Sequence, residues 1–273
     1  MRYLLSMLLL FAGCATENIG GNDLPDTDAI QPAYDQVFAP CSGIIRRAIV
    51  AGLTSVDPNA YDGWSGACPG CDVDSQIARD FCLQQGLQTV YMYNSQATSD
   101  NLIAAFKSAI RDMKADDLLV FYISGHGGQW ADESGDEEDG MDETICLWDG
   151  QLSDDLMGTL LDLVPAGVRV FFVSDTCNSG TNYRAVRSYR KAIPRSFAAQ
   201  MIHIGGCADG KSSFGDEQGG VMTTAMFDAY GPTTTYSNWR DQTAARMDTT
   251  KQAPVYAEYG AVTDEFRNGK PLQ

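Results

Sequence analysis

Apolar positions along the chain follow two alternating periods. From Ile44 to Leu53 they run almost unbroken, as in a strand, and Leu87–Tyr93 repeats that pattern. Between them Val73, Ile77 and Phe81, with Gln85 in step, recur every four residues and predict a helix with one inward stripe. Leu102, Phe106, Ile110 and Met113 predict a second amphipathic helix. It opens at Thr98, Ser99 and Asp100, whose side-chain oxygens can accept the unpaired amides of a first turn. Leu118–Ser124 is continuously apolar, as expected of a strand buried on both faces. Thr144–Trp148 is strand-like, and Ser153 caps a helix reaching Val164. Val168–Ser174 and Ala199–Gly206 read as buried strands, and Gly220–Tyr230 as a helix. Strand–helix alternation of this kind predicts an α/β fold, with a mainly parallel central sheet and helices on both faces.

In such sheets active groups collect just beyond the carboxyl ends of strands. Two predicted strands end in reactive side chains among small residues. Leu118–Ser124 runs into Gly125-His126-Gly127-Gly128-Gln129, and Val168–Ser174 into Asp175-Thr176-Cys177-Asn178-Ser179-Gly180. A thiol becomes a strong nucleophile when an imidazole favours its thiolate, and the same imidazole can then protonate a leaving amine. Equivalent positions on two buried strands, 51 residues apart, point to a Cys177/His126 dyad.

The segments Tyr122–Gln129 and Ser174–Gly180 resemble the two catalytic motifs of metacaspases, within the caspase-like cysteine peptidases. Gly70-Cys71-Asp72-Val73-Asp74 and Ile204-Gly205-Gly206-Cys207-Ala208-Asp209 are similar to further segments of that family, and all four occur in order between residues 45 and 230. The Gln-Ala-Cys-x-Gly signature of true caspases is absent. The resemblance implies a caspase-like three-layer sandwich, with Cys177 as nucleophile and His126 as general base and acid. It implies an oxyanion hole from the backbone amides of Gly127 and Cys177. It also implies a specificity pocket of Cys71, Asp74, Ser124 and Asp175. Two carboxylates in a narrow pocket suit a guanidinium or ammonium, so cleavage after Arg or Lys is expected.

The net charge of −17 excludes a general nucleic-acid binder, which needs a basic face, and leaves cationic ligands open. With only His126 and His203, a His-rich metal centre is excluded as well. Cys68-Pro-Gly-Cys71 has the spacing of half a zinc knuckle or of a redox pair, but no second pair follows to complete a zinc site. Residues 115–168 hold 14 acidic side chains and no Lys or Arg. Carboxylates at that density must be solvated or bridged by a hard cation such as Ca²⁺. The run is not an EF-hand, because aligning Gly140 with the loop glycine puts Cys146 at the last position. The family resemblance implies that Asp154 and Asp155 form a calcium-binding pair, and Asp139 and Asp142 of the acidic run are the further candidate ligands. A further family ligand would fall near Tyr183–Arg184, where no acid stands.

The N-terminus reads as an export signal: Met1-Arg2, an apolar run from Tyr3 to Ala12 too short to span a bilayer, then Gly13-Cys14. Phe11-Ala12-Gly13-Cys14 resembles a bacterial lipobox, in which the cysteine is lipidated. At 273 residues the chain divides into a signal over 1–14, a flexible tether over 15–43 and a peptidase domain over 44–273. The expected protein is an exported, membrane-anchored monomer that touches lipid only through its anchor and acts on peptides with Arg or Lys before the cut. Five basic residues within 184–195 (Arg184, Arg187, Arg190, Lys191 and Arg195) mark a loop for self-cleavage. The alternatives are a legumain- or gingipain-like peptidase of other specificity, and a catalytically silent adaptor of the same fold.

Overall fold

The computed structural model describes residues 38, 39, 41–131, 140–183 and 197–273. Along the chain come β1 (Arg46–Gly52), α1 (Cys71–Gln84), β2 (Gln88–Tyr93), α2 (Ser99–Ile110), β3 (Leu118–Ser124), β4 (Gly127–Ala131), β5 (Met141–Leu147) and β6 (Gly150–Ser153). They are followed by α3 (Asp154–Leu161), β7 (Arg169–Asp175), β8 (Gln200–Gly205), β9 (Gly215–Asp216), β10 (Gly219–Gly220), α4 (Val221–Ala229), α5 (Tyr236–Ala244), β11 (Val255–Gly260) and α6 (Asp264–Asn268).

A six-stranded sheet ordered β11-β8-β7-β3-β1-β2 forms the middle layer. Every pairing is parallel except that of β11 with β8. Successive side chains of a strand point to opposite faces, and both faces here are apolar. Ala48, Val50, Val120, Tyr122, Phe171 and Ile204 pack under α1, α4 and α5. Ile49, Ala51, Phe121, Ile123, Phe172 and Met201 pack under α2, α3 and the small antiparallel sheet β4-β5-β6. Each of the valine, isoleucine, phenylalanine and methionine side chains among them contributes about 1.5–3 kcal/mol by leaving water, and burial on both faces explains why these strands read as unbroken apolar runs. The α/β three-layer architecture is the one the pattern predicts.

Two features depart from the sequence reading. The deepest face of α1 is not the Val73–Ile77–Phe81 stripe but Cys71, Asp74, Ser75, Ala78 and Cys82. Small residues let the helix lie close to the sheet, and Phe81 instead packs sideways on Phe227, Tyr230 and Trp239. The loop expected after His126 is in part strand β4, paired with β5. The motif-free residues 231–273 complete the fold, adding β11 as an edge strand and burying Trp239 and Phe266.

The signal segment 1–14 and most of the tether 15–43 lie outside the described residues. Within the described part Phe38 is docked, while Ser42 and Gly43 are exposed. Phe38 is buried, the Arg47 guanidinium lies 5.1 Å from its ring centroid, and Arg47 also donates to the Ala39 carbonyl. The packed domain therefore reaches back at least to Phe38.

Candidate active site

The strand register positions the reactive groups. Gly52, Ser124 and Asp175 lie side by side at the carboxyl edge of β1, β3 and β7. His126 and Cys177 each stand two residues beyond that row, so adjacent strands deliver both to one edge, and both are partly exposed. Their loops touch backbone to backbone: a Cβ on Gly127 would lie 1.9 Å from the Cys177 carbonyl oxygen. The two amides expected to form an oxyanion hole thus belong to segments in direct contact.

The Cys177 loop is sewn to the segment after β8. The Ser179 hydroxyl donates to the Cys207 carbonyl and accepts from the Cys207 amide, both at 3.2 Å. Asn178 adopts a left-handed φ of 50°, which asparagine tolerates, and its side-chain oxygen accepts from the Gly210 amide at 2.9 Å. On the other loop, His126 Nε2 lies 3.2 Å from the Ala67 carbonyl oxygen, and the Trp64 indole sits against the imidazole with centroids 4.8 Å apart. Donation from Nε2 to that carbonyl leaves Nδ1 as the basic nitrogen. A backbone oxygen thus orients the imidazole, where other cysteine peptidases use a third side chain. The Cys68–Cys71 disulfide ties this orienting segment to the start of α1.

Next to the dyad the structure brings together Asp74, Ser124 and Asp175, all at least 95% buried. Asp74 accepts from the Ser124 hydroxyl at 2.8 Å and from the Gly220 amide at 2.7 Å. Asp175 accepts from the Ser213 hydroxyl, and from the Thr223 amide and hydroxyl at 3.0 and 2.7 Å. Burial, then repulsion from Asp175, pushes Asp74 up to about 7. Burial also raises Asp175. Gly220 lies against both acids, since a Cβ there would approach Asp175 Oδ2 to 2.5 Å and Asp74 Oδ2 to 2.8 Å. Cys71 lies one helical turn before Asp74, and its sulfur is held in the disulfide with Cys68.

Asp142 on β5 and Asp154 at the start of α3 are buried acids of the predicted calcium set, with Asp155 beside them, whereas Asp139 lies outside the described residues. Burial above all, with repulsion from Asp142, Asp155 and Glu143, raises Asp154 to about 8. Among the described residues no three His, Cys, Asp or Glu side chains converge as a metal site requires.

Sequence reasoning missed Ser213, Gly220 and Thr223, which hold the two acids, and the Ala67 carbonyl. A backbone carbonyl leaves no sequence signal. Gly219-Gly220 opening a helix was a usable one, because paired glycines mark close backbone approach.

Comparison with known proteins agrees with this geometry. Residues 74–185 match the model of the metacaspase peptidase C14 domain. Metacaspase-1 of Kluyveromyces lactis is 32% identical over 166 residues, covering 55% of this chain and 36% of that protein. Metacaspase-1B of Neurospora crassa is 42% identical over 159 residues, covering 53% and 36%. The chain thus spans about a third of the length of these relatives. A Geobacter sulfurreducens protein of known crystal structure superposes with a TM-score of 0.73 at 29% identity, over 84% of this chain and 98% of that one. Caspase-1 from Spodoptera frugiperda, at 14% identity and a TM-score of 0.53 over 78% of this chain and 86% of that one, shares the fold. These matches, together with the motif order that the register explains, make residues 74–185 similar to the metacaspase peptidase domain and support a kinship of the chain with the caspase-like cysteine peptidases.

Proposed function

We propose that this protein is an endopeptidase that cuts after Arg or Lys. The observation that carries the specificity is the buried Asp74/Asp175 pair beside the dyad. An arginine side chain entering there meets two carboxylates whose repulsion it relieves, and a planar guanidinium can bond both. Substrates with Asp in that position would add a third negative charge. In the proposed reaction the Cys177 sulfur attacks the scissile carbonyl carbon while His126 takes the thiol proton. The Gly127 and Cys177 amides receive the developing oxyanion. His126 then gives its proton to the leaving amine, and a water activated by His126 releases the acyl group.

Calcium is proposed as activator. Asp142, Asp154 and Asp155 would hold it, and a hard cation there would supply charge neutralisation among buried acids. The raised Asp154 supports that reading, and the absence of converging ligands among the described residues means the set would have to close on the ion. Export and lipidation at Cys14, a monomeric state and self-cleavage within 184–195 complete the proposal. All of these but the monomeric state fall on residues outside those described.

One experiment tests the core of it. Fluorogenic peptides varying the residue before the cut are assayed with Ca²⁺ and with chelator, alongside Cys177→Ala and His126→Ala. Turnover is expected only with Arg or Lys, rising with Ca²⁺, and each variant should lose nearly all of it. Mass spectrometry of the incubated enzyme should show new C-termini at Arg or Lys in 184–195, absent in Cys177→Ala. Preference for Asp or Asn would remove the pocket assignment, and turnover by a dyad variant would remove the mechanism.

A further inference from the structure

Among the described residues, Glu143 is a buried acid near the site that neither the dyad, the specificity pocket nor the predicted calcium set uses. It lies on β5, directly opposite Gln129 of β4, and is 2% exposed. Its two oxygens go to different places. Oε1 accepts from Gln129 Nε2 at 2.9 Å, three residues beyond His126. Oε2 accepts from the Thr181 hydroxyl at 2.7 Å, four residues beyond Cys177. Thr181 is gripped from its other side by Asp209, whose Oδ1 accepts the Gly180 and Thr181 amides at 2.8 and 3.1 Å and whose Oδ2 lies 2.9 Å from the Thr181 hydroxyl.

We infer that Glu143 is a positioning residue: a single buried carboxylate that clamps the His126 loop to the Cys177 loop and sets the spacing of the dyad. It touches no substrate. The backbones of the two loops already meet at Gly127 and Cys177, but such a contact limits approach without preventing separation. Glu143 supplies the opposing restraint, with one bond to each loop. Its burial makes those bonds strong, because neither oxygen can turn to water instead. A nucleophile misplaced by about 1 Å loses on the order of 100-fold in rate, so the clamp acts on turnover and not on the specificity pocket. The inference rests on the reading of Cys177 and His126 as the catalytic pair.

The test compares Glu143→Ala with Glu143→Gln at fixed calcium. Alanine removes both bonds. Glutamine keeps both, its Oε1 accepting from Gln129 and its Nε2 donating to the Thr181 oxygen, whose own proton serves Asp209. Expected for Glu143→Ala is a fall in kcat of about 100-fold with KM within about twofold, and for Glu143→Gln near wild-type turnover. Should Glu143→Ala not fold, Thr181→Val with Thr181→Ser as its rescue asks the same question from the other end of the bond. Alkylation of Cys177, followed by mass spectrometry across pH, needs no substrate and separates this idea from a wrong choice of peptide. In Glu143→Ala the alkylation should slow severalfold across that range, as the thiol loses its imidazole partner. A folded Glu143→Ala that turns over within threefold of wild type overturns the inference. So does a Glu143→Gln as slow as the alanine variant, which would make charge rather than hydrogen bonding the property that matters, or an alkylation rate in Glu143→Ala equal to wild type.

Discussion

Asp74 shows what a single side chain can disclose. A carboxyl on the inner face of a helix, 1% exposed and beside a second buried acid, is costly to ionise in the folded protein, and such a group marks a candidate functional site. Its carboxyl is raised from 3.8 to about 7, so the folded free enzyme holds a proton there between those values, while a bound guanidinium needs the ionised form. Affinity for an arginine peptide amide should therefore rise with pH through about 7 and weaken roughly tenfold for each pH unit below it. Calorimetric titration of Cys177→Ala between pH 5.5 and 8.5 reads this without interference from the thiol. A flat profile would mean that the acids do not contact the ligand. Asp74→Asn should raise KM for Arg substrates by an amount equivalent to about 2–5 kcal/mol.

At the scale of elements, the site depends on how closely strand ends approach one another. β3 and β7 are held in register by the sheet, but the segments leaving their ends can diverge unless they are themselves joined. Gly127 is where they meet, because only a residue without a side chain admits the Cys177 carbonyl at that distance. Gly127→Ala should push the Cys177 loop away from His126 and lower kcat at least 100-fold. The melting temperature should fall by only a few degrees, because β4 lies at the edge of a small sheet. Measuring kcat and thermal unfolding together decides this. An active, stable alanine variant would show that the loops tolerate separation. The small antiparallel sheet is thus more than padding: β4 and β5 carry Gln129 and Glu143 into the same joint.

The whole molecule concentrates negative charge where it must also be buried. Asp154, raised from 3.8 to about 8, is protonated in the folded protein across a range where the unfolded chain is ionised. Raising the pH from about 4 to about 8 therefore withdraws stability, since the native state binds the extra proton. Asp154→Asn, which mimics the neutral acid, should leave stability unchanged near pH 4 and raise it progressively up to pH 8 when calcium is chelated. Thermal unfolding at a series of pH values checks the sign. A gain that is the same at every pH would mean that Asp154 is ionised in the native state throughout. On the calcium proposal, the same variant should instead lack the ion-induced stabilisation expected of wild type when calcium is added.

The fold was legible because period and burial are local properties of the chain. An unbroken apolar run as short as Leu118–Ser124, followed by glycines, fits a strand covered on both faces better than a helix, and the structure covers it so. That His126 and Cys177 come to one sheet edge was legible because each stands two residues beyond one of two such strands, and parallel register turns matched offsets into proximity. Asp74 was legible only through resemblance, since the periodicity assigned α1 the wrong inner face. That face is chosen by how closely a helix of small residues can approach the sheet, a property of two elements together. The Ala67 carbonyl at His126, the Gly220 amide at Asp74 and the Glu143 clamp join residues 59, 146 and 38 positions apart. Such contacts depend on where separate loops come to rest, so only the tertiary structure decides them.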